Sequence, residues 1–356
     1  MSAVEVPRAV SEPLSALAAR GKELEVAGRW KEADRLYATL FRRALAERDP
    51  SAAVDALRRQ ASVRGGLGSV EEAEELAELS FEIAERCGLA RAAARAVNVR
   101  ALLLYTREEL PRAAALYRDA LARARAVRDD ELTGLVCQNL GVIANIHGEL
   151  AEARALYLEC IASTIRSGDR TAAMMAYNNL GMVCADLREW LEAELYMDRA
   201  LDVAERIGHR PAATRLYLNR AEPLIQMGEL RRARATLDRA EELAGPLDDR
   251  GTLAGVRRFR AVIARLEGDF AAADRELADA AMLVAGEGHE LERAEILGAI
   301  ARLRWEQGRR DEARAALHRA RDCFAALGAA REIRRLDEVL EGWGEVGSVV
   351  EPVEAG

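Results

Sequence analysis

The stretch Tyr-Asn-Asn-Leu-Gly-Met-Val-Cys-Ala-Asp-Leu-Arg-Glu-Trp-Leu-Glu-Ala occupies residues 177–193 and shows the pattern that decides the fold. Gly181 is followed seven residues later by a turn-like position, Arg188, and five residues after that by Ala193. The same three-part pattern recurs eight times along the chain, at intervals of forty residues. A fixed period of this length predicts a repeat architecture, in which each unit buries its apolar face against its neighbours.

Three series of residues define the repeat. The turn-like positions are Gly28, Gly68, Glu108, Gly148, Arg188, Gly228, Gly268 and Gly308. The alanines that follow are Ala33, Ala73, Ala113, Ala153, Ala193, Ala233, Ala273 and Ala313. The small residues that precede are Gly21, Ala61, Ala101, Gly141, Gly181, Ala221, Ala261 and Ala301. Two small sites on either side of a turn indicate two helices in close contact, with the larger residues beside them filling the remaining space.

A second series of breaks recurs at the same interval, about twenty residues after the first. Its members are Arg48, Gly88, Arg128, Gly168, Gly208, Asp248, Gly288 and Gly328. Glycine just beyond a helical pattern is the usual C-terminal cap, because it accepts a left-handed backbone at low cost. Each unit is therefore predicted to be a helical hairpin, with a helix A, a turn, a helix B and a second turn. Only 8 prolines interrupt a chain rich in helix-forming residues, so the predicted class is all-α.

The boundaries follow from where the period starts and stops. Residues 11–328 are predicted to form eight repeats in one solenoid, preceded by a disordered segment at 1–10. Residues 329–343 read as a capping helix, because the last repeat of a solenoid must present one polar face to water. Charged residues are dispersed around this helix, among them Arg331, Arg334 and Arg335. Residues 344–356 carry Gly, Glu and Pro and are predicted to form a disordered tail.

Composition limits the classes of partner and compartment. The net charge is -8, which disfavours nonspecific binding to nucleic acid or to an anionic membrane. The five cysteines are scattered and odd in number, which indicates reduced thiols in a cytoplasmic protein rather than a disulfide framework or a zinc site. No basic stretch precedes a long apolar segment near the N-terminus, and no window has 18 uncharged apolar residues. Neither secretion nor membrane insertion is expected.

The repeat resembles the tetratricopeptide repeat. A small residue, an alanine twelve positions later and a large residue four beyond that is the pattern of this family, and residues 139–153 show it as well as residues 177–193. The unit exceeds the 34-residue standard by six residues, or roughly one helical turn in each helix. This long form is similar to the repeats of kinesin light chains, of Pins-type polarity adaptors and of the sensor domains of several bacterial regulators. The resemblance implies a right-handed superhelical α-solenoid whose A helices line a concave groove.

Two features depart from the family pattern. Arg100, Arg220 and Arg260 stand where the family usually has leucine; their stems are expected to pack while the guanidinium groups reach water, and a groove-lining role is the alternative. Glu222-Pro223 falls inside a helix A pattern and predicts a local kink or break, because proline removes a backbone donor.

The predicted groove is rich in side-chain amides at its middle. These are Asn98, Gln138, Asn139, Asn145, Asn178, Asn179 and Asn219. An amide offers both donors and an acceptor, so a row of them can bind an extended peptide backbone of any sequence. In the long-repeat relatives, asparagine just before Leu-Gly clamps peptide backbone, which implies this role for Asn139 and Asn179 and, with a partial match, for Asn219. The alternative is that these amides only bond a neighbouring helix turn.

Arginines flank the amides, and the candidates are Arg58, Arg59, Arg95, Arg215 and Arg258, with Arg302 further along. Arginine forms charge-assisted hydrogen bonds to carboxylates, so these residues predict contacts to acidic groups of a ligand. The alternative is that they lie on solvated helix faces.

The function predicted from these patterns is a scaffold or adaptor that binds an extended peptide or partner tail in its concave groove. The alternative is a regulatory module that senses a small ligand or signal peptide and acts through a partner. An enzyme is not expected, because the four histidines lack metal-ligand spacing and neither a phosphate-binding loop nor a nucleophile elbow occurs. No cofactor, metal, nucleic acid or membrane partner is predicted; the oligomeric state is left open.

Overall fold

The computed structural model describes residues 12–286 and 288–347. The predictions for residues 1–10 and 348–356 lie outside this part of the chain. The helices of the first four repeats are α1 (Leu14–Val26), α2 (Trp30–Ala46), α3 (Pro50–Gly66), α4 (Val70–Arg86), α5 (Ala90–Thr106), α6 (Leu110–Ala126), α7 (Asp130–His147) and α8 (Leu150–Ser167). Those of the next four are α9 (Arg170–Asp186), α10 (Trp190–Arg206), α11 (Arg210–Gln226), α12 (Leu230–Ala244), α13 (Arg250–Leu266), α14 (Phe270–Leu283), α15 (Glu290–Glu306) and α16 (Arg310–Ala326).

These sixteen helices form eight A/B hairpins, with odd-numbered A helices and even-numbered B helices, and α17 (Ala330–Gly347) follows them. No strand occurs among the described residues, and consecutive helices pack against one another. The all-α solenoid of helix-turn-helix repeats is therefore confirmed. The chain divides into two compact units, unit 1 up to Leu140 and unit 2 from Gly141. None of the described helices is both long and apolar enough to cross a membrane.

All sixteen predicted breaks adopt a left-handed backbone, with φ between 48° and 86°. Eleven are glycine, and the other five are Arg48, Glu108, Arg128, Arg188 and Asp248. Within residues 12–286 and 288–347, no other residue has a positive φ. At Arg188 the turn closes by a bond from the N–H of Glu189 to the carbonyl of Cys184 at 2.8 Å. This is the six-to-one hydrogen bond that closes the C-terminus of an α-helix when the residue after it has a left-handed backbone.

The small residues and alanines form the buried frame of each hairpin. Every alanine of the series, from Ala33 to Ala313, is 0 % exposed. A Cβ added at Gly141 would lie 2.7 Å from a ring carbon of Tyr157, and one at Gly181 would lie 2.8 Å from Met197. The large residues of helix B thus occupy the space that a larger residue in helix A would need, as the repeat pattern predicts.

Helix α11 is not broken at Pro223. It has 17 residues, the same length as the neighbouring A helix α9. The N–H of Met227 still donates to the carbonyl of Pro223 at 3.0 Å. Pro223 stands close to the end of α11, so the donor it lacks affects only the last turns. The expected break is therefore absent.

The arginines that replace leucine pair with acids on the preceding helix B. Arg100 lies 2.6 Å from Glu78, and Arg260 lies 2.6 Å from Glu241. Arg220 bonds Glu194 at 3.1 Å. These guanidinium groups therefore link adjacent repeats while remaining partly exposed, and the groove-lining alternative stays a prediction.

Helix α17 continues to Gly347, four residues beyond the predicted end of the capping helix. It packs on α15 and α16 through Leu336, Val339, Leu340 and Trp343. The ring of Trp343 stacks on Trp305 with centroids 4.3 Å apart. Because these apolar residues face α15 and α16, the charged residues of α17 lie on its other faces.

Candidate functional site

In unit 2 the predicted asparagines form a hydrogen-bonded cluster. The Nδ2 of Asn219 on α11 donates to Oδ1 of Asn178 on α9 at 2.9 Å. The Nδ2 of Asn178 donates in turn to Oδ1 of Asn179 at 3.1 Å. All three are half-buried, and in the described chain neither Nδ2 of Asn179 nor Oδ1 of Asn219 has a partner. The cluster joins two repeats and still offers one amide donor and one acceptor.

The residues one turn earlier on the same two helices add an apolar and a cationic group. Met175 on α9 is 48 % exposed. Arg215 on α11 is exposed and pairs with no acid in the part of the chain that the structure describes. Because residues three and four apart share a helix face, we define the amide strip as Met175, Asn178, Asn179, Arg215 and Asn219. It combines half-buried amides with one apolar and one cationic side chain.

Asn145, at the end of α7, is used within unit 2. Its Oδ1 accepts from Nη1 of Arg331 at 3.1 Å. Arg331 also binds both carboxylate oxygens of Asp186, at 2.7 and 3.0 Å. The sequence predicted a solvating role for α17, whereas Arg331 turns inward onto the ends of α7 and α9. No local pattern marks this contact, because the partners are 186 and 145 residues away.

In unit 1 the predicted amides are less accessible. Asn98 is 7 % exposed, and its Oδ1 has no hydrogen-bond partner among the described residues. Gln138 is buried too. Asn139 donates through Nδ2 to Oη of Tyr117 at 3.2 Å. Here the alternative interpretation describes most of the contacts, since the amide of Asn139 bonds the neighbouring helix α6.

The predicted arginines of unit 1 are neutralised by acids of the scaffold. Arg58 and Arg59 both pair with Asp55, the latter at 3.2 Å. Arg95 binds Asp129 at 2.9 and 3.1 Å and reaches Glu131 at 2.7 Å. These groups hold adjacent turns and repeats together, so any ligand contact would have to share them with their acids.

A cavity of about 600 Å³ lies beside two of these arginines. Arg58 and Arg95 contribute to its wall, and the other lining residues are Leu14, Ser15, Ala18, Leu40, Asp49, Ser51, Ala52, Asp55, Leu89, Ala90, Arg91 and Ala92. The cavity brings together predicted arginines of repeats 2 and 3, but the amides Asn98 and Asn139 are not part of its lining.

Arg258, on α13 of unit 2, is largely enclosed. One of its Nη atoms binds Glu295 at 3.0 Å, and its guanidinium lies 4.1 Å from the ring centre of Phe259. Its Nε is buried and has no hydrogen-bond partner in the described chain. Its Nη therefore has a carboxylate partner and its Nε does not.

Charged groups that the sequence did not single out gather near α17. Burial and the guanidinium groups of Arg265, Arg335 and Arg188 lower the pKa of Arg302, against the opposite influence of Glu306. Burial also raises the pKa of Glu222, although Arg258 and Arg335 oppose this. The sequence gives no signal for this group of charged residues, because its members come from four separate helices and one turn. Within the described residues no group of His, Cys, Asp and Glu is arranged to hold a metal ion.

Comparison with known proteins supports the repeat type. Residues 171–245 match the family model of the tetratricopeptide repeat. No curated protein matches the chain at a significant level.

Several solved structures share the fold. One is the signal transduction ATPase with a tetratricopeptide repeat sensor from Pyrococcus horikoshii, with a TM-score of 0.66 and 20% identity. The match covers 77% of this chain and 42% of the ATPase, so this chain spans less than half of its length. The apo quorum sensor NprR from B. thuringiensis gives 0.56 at 18% identity, covering 76% of each chain. Apo RapI gives 0.67 at 12% identity, covering 95% of this chain and 99% of that one. Residues 171–245 thus match the tetratricopeptide repeat, and helical hairpins of the same kind occur along the rest of the described chain.

Proposed function

We propose that this protein is a protein-interaction module that binds an extended peptide or partner tail along the amide strip of unit 2. The tetratricopeptide fold supports an interaction role, and the bonded amides of Asn178, Asn179 and Asn219 carry the proposal. They hold one another in place across two helices, so their free donor and acceptor are already oriented for a peptide backbone. Met175 offers an apolar contact, and Arg215 offers a charge-assisted bond to a carboxylate. Asn139, Arg58, Arg59 and Arg95 remain predictions for unit 1.

The test starts from selection of binders. A displayed library of random peptides is panned on the full chain, and an enriched peptide is synthesised with a fluorescent label and titrated. We expect a Kd on the order of micromolar for the wild type, or about -8 kcal/mol. The double variant Asn179→Ala/Asn219→Ala should bind at least tenfold more weakly.

The matched control is Arg231→Ala, which removes an exposed side chain of α12. It should bind the selected peptide as the wild type does. Equal affinity of the double variant and this control would exclude the amide strip as the site, and failure to enrich any peptide would count against the function itself. Thermal unfolding of each variant shows whether the fold is retained.

A second candidate function is a sensor that changes shape on binding and acts through a partner. The observation that favours it is the bridge from Arg331 to Asp186 and Asn145, a polar contact that a ligand on the neighbouring strip could strengthen or break. Two structures with the same fold are described as sensors. Small-angle scattering with and without the selected peptide separates the two: a sensor changes its radius of gyration, and a static scaffold keeps it.

A further inference from the structure

The first half of α17 lies against the ends of α7 and α9. Arg331 bonds Asn145 and Asp186, and an Nη of Arg334 lies 3.7 Å from where a Cβ on Gly148 would stand. Arg335 follows Arg331 by one helical turn and is therefore on the same face of α17. The contacts of Arg331 therefore identify the face of α17, shared by Arg335, that turns toward α7 and α9.

Two further arginines of unit 2 belong to other elements. Arg302 stands on α15, and Arg188 occupies the left-handed turn between α9 and α10, two residues after Asp186. The guanidinium groups of Arg335 and Arg188 contribute to the lowered pKa of Arg302, after burial and Arg265. We call Arg188, Arg302 and Arg335 the arginine cluster.

The acids nearby are engaged elsewhere. Asp186 binds Arg331, Glu306 binds Arg265, and Glu295 binds Arg258. The exception is Glu222, which interacts electrostatically with Arg335 but forms no ion pair within the described chain, and whose pKa is raised by burial. No hydrogen bond or ion pair holds Arg188, Arg302 or Arg335 in the residues that the structure describes. All three side chains are accessible to water, although partial burial contributes to the lowered pKa of Arg302. Three arginines without an ion-pair partner in the described chain thus outnumber the one unpaired acid beside them, Glu222, and form a local site of positive charge that an anion would stabilise.

We propose that the arginine cluster binds the carboxylates of acidic side chains in a peptide held by unit 2. The proposal rests on the proposed function and names its partner class, an acidic peptide. The guanidinium fork matches a carboxylate with two parallel hydrogen bonds. Asp186 lies seven residues beyond Asn179 on α9, about 10 Å along the helix. An extended peptide covers that distance with about three residues, so one ligand can reach both the amide strip and the cluster.

The experiment measures fluorescence anisotropy of labelled hexaglutamate and hexaglutamine with the full chain at low ionic strength. The wild type should bind hexaglutamate at least tenfold more tightly than hexaglutamine. The variant Arg302→Gln/Arg335→Gln should lose this preference. The control Arg231→Gln/Arg319→Gln removes the same charge from exposed positions on α12 and α16 and should keep it. Equal hexaglutamate affinities for the two double variants would overturn the proposal.

Comparing the two peptide experiments distinguishes failure of the arginine cluster from failure of the proposed function. If the library-selected peptide still depends on Asn179 and Asn219 while hexaglutamate binding ignores Arg302 and Arg335, the arginine cluster is wrong and the proposed function stands. If no peptide binds the wild type, the proposed function fails first.

A hexapeptide of phosphoserine is the third probe. If the wild type binds it tenfold more tightly than hexaglutamate, and Arg302→Gln/Arg335→Gln loses this preference, the ligand group is phosphate and the proposal of carboxylates is overturned.

Discussion

At the scale of single residues, the fold depends on positions where only certain side chains or backbone conformations fit. The sixteen left-handed turns and the buried alanines could be predicted from spacing alone, because each is set by short-range sterics that repeat every forty residues. Spacing located Glu108 and Arg188 as turns even though neither residue favours one. Such residues bear a backbone cost on the order of 1–2 kcal/mol that glycine avoids.

Replacing Glu108 by glycine should therefore stabilise the protein. Glu108 is exposed and has φ of 62°, so the change relieves the backbone without removing a described contact. We expect a gain of about 0.5–1 kcal/mol in the free energy of unfolding, measured by urea denaturation. The reciprocal change Gly88→Ala, at φ of 68°, should destabilise by a similar amount or more. A loss of stability in Glu108→Gly would contradict this account.

Two glycine-to-alanine changes in helices of unit 2 should have opposite effects. Gly141→Ala places its Cβ 2.7 Å from the ring of Tyr157, which is 1 % exposed and cannot move freely. We expect a loss of about 1–3 kcal/mol from this overpacking. Gly298→Ala on α15 meets open space and should gain up to about 1 kcal/mol from helix propensity. Thermal unfolding of both variants checks the difference, and equal effects would argue against the close contact.

At the scale of the elements, sequence predicted which helices form but not which charged groups meet. The asparagines at equivalent positions of α9 and α11 were predictable as a row, because the period places them side by side. Arg95 was interpreted as a ligand contact, yet its acid, Asp129, stands 34 residues further on at the start of α7. That pairing depends on how one hairpin packs on the next, which spacing alone does not determine.

The pair of Arg95 and Asp129 should make unit 1 sensitive to acid. Burial would raise the pKa of Asp129, but the bonds from Arg95 and the N–H of Leu132 outweigh it and hold the pKa below its usual value. Because the folded-state pKa is depressed, the stabilisation is present above about pH 4 and is lost as the pH falls through the folded value. We expect Asp129→Ala to cost about 2–4 kcal/mol at pH 7.

The measurement is the free energy of unfolding at pH 7 and pH 3. Asp129→Asn should lose less stability than the wild type between these two values, because it has no carboxylate to protonate. Asp119→Asn is the control, since its carboxylate is far more exposed than that of Asp129 and its pair with Arg123 should contribute less. A wild-type loss that is unchanged in Asp129→Asn would assign the acid sensitivity to other groups.

At the scale of the whole molecule, the feature that sequence could not supply is the return of α17 onto earlier repeats of unit 2. The sequence pattern predicts that this segment is a helix, and its dispersed charged residues predict only a solvated cap. The contacts of Arg331 arise only because the intervening repeats bring α7 and α9 within reach. Such a contact adds to the nearest-neighbour packing that usually holds a solenoid together.

Removing the Arg331 side chain should loosen α17 without unfolding the repeats. We expect Arg331→Ala to cost about 1–2 kcal/mol, discounted because Arg331 is partly exposed. Amide hydrogen exchange should accelerate in α17 and at the end of α9. The exchanged pair Arg331→Asp/Asp186→Arg should recover part of the protection. Asp337→Asn, which breaks the more exposed pair with Arg321, is the control and should leave α9 unchanged.

The bridge between Arg331 and Asp186 also constrains how many repeats unit 2 can contain. A chain whose repeats touch only adjacent repeats can gain or lose one by duplication or deletion, since every junction is alike. Here the residues that meet are separated by 145 positions, and one added or deleted forty-residue unit would carry α17 out of register with α9. The length of this part of the chain is therefore fixed by a contact between its ends, so lineages that keep the bridge should vary in loop length before they vary in repeat number.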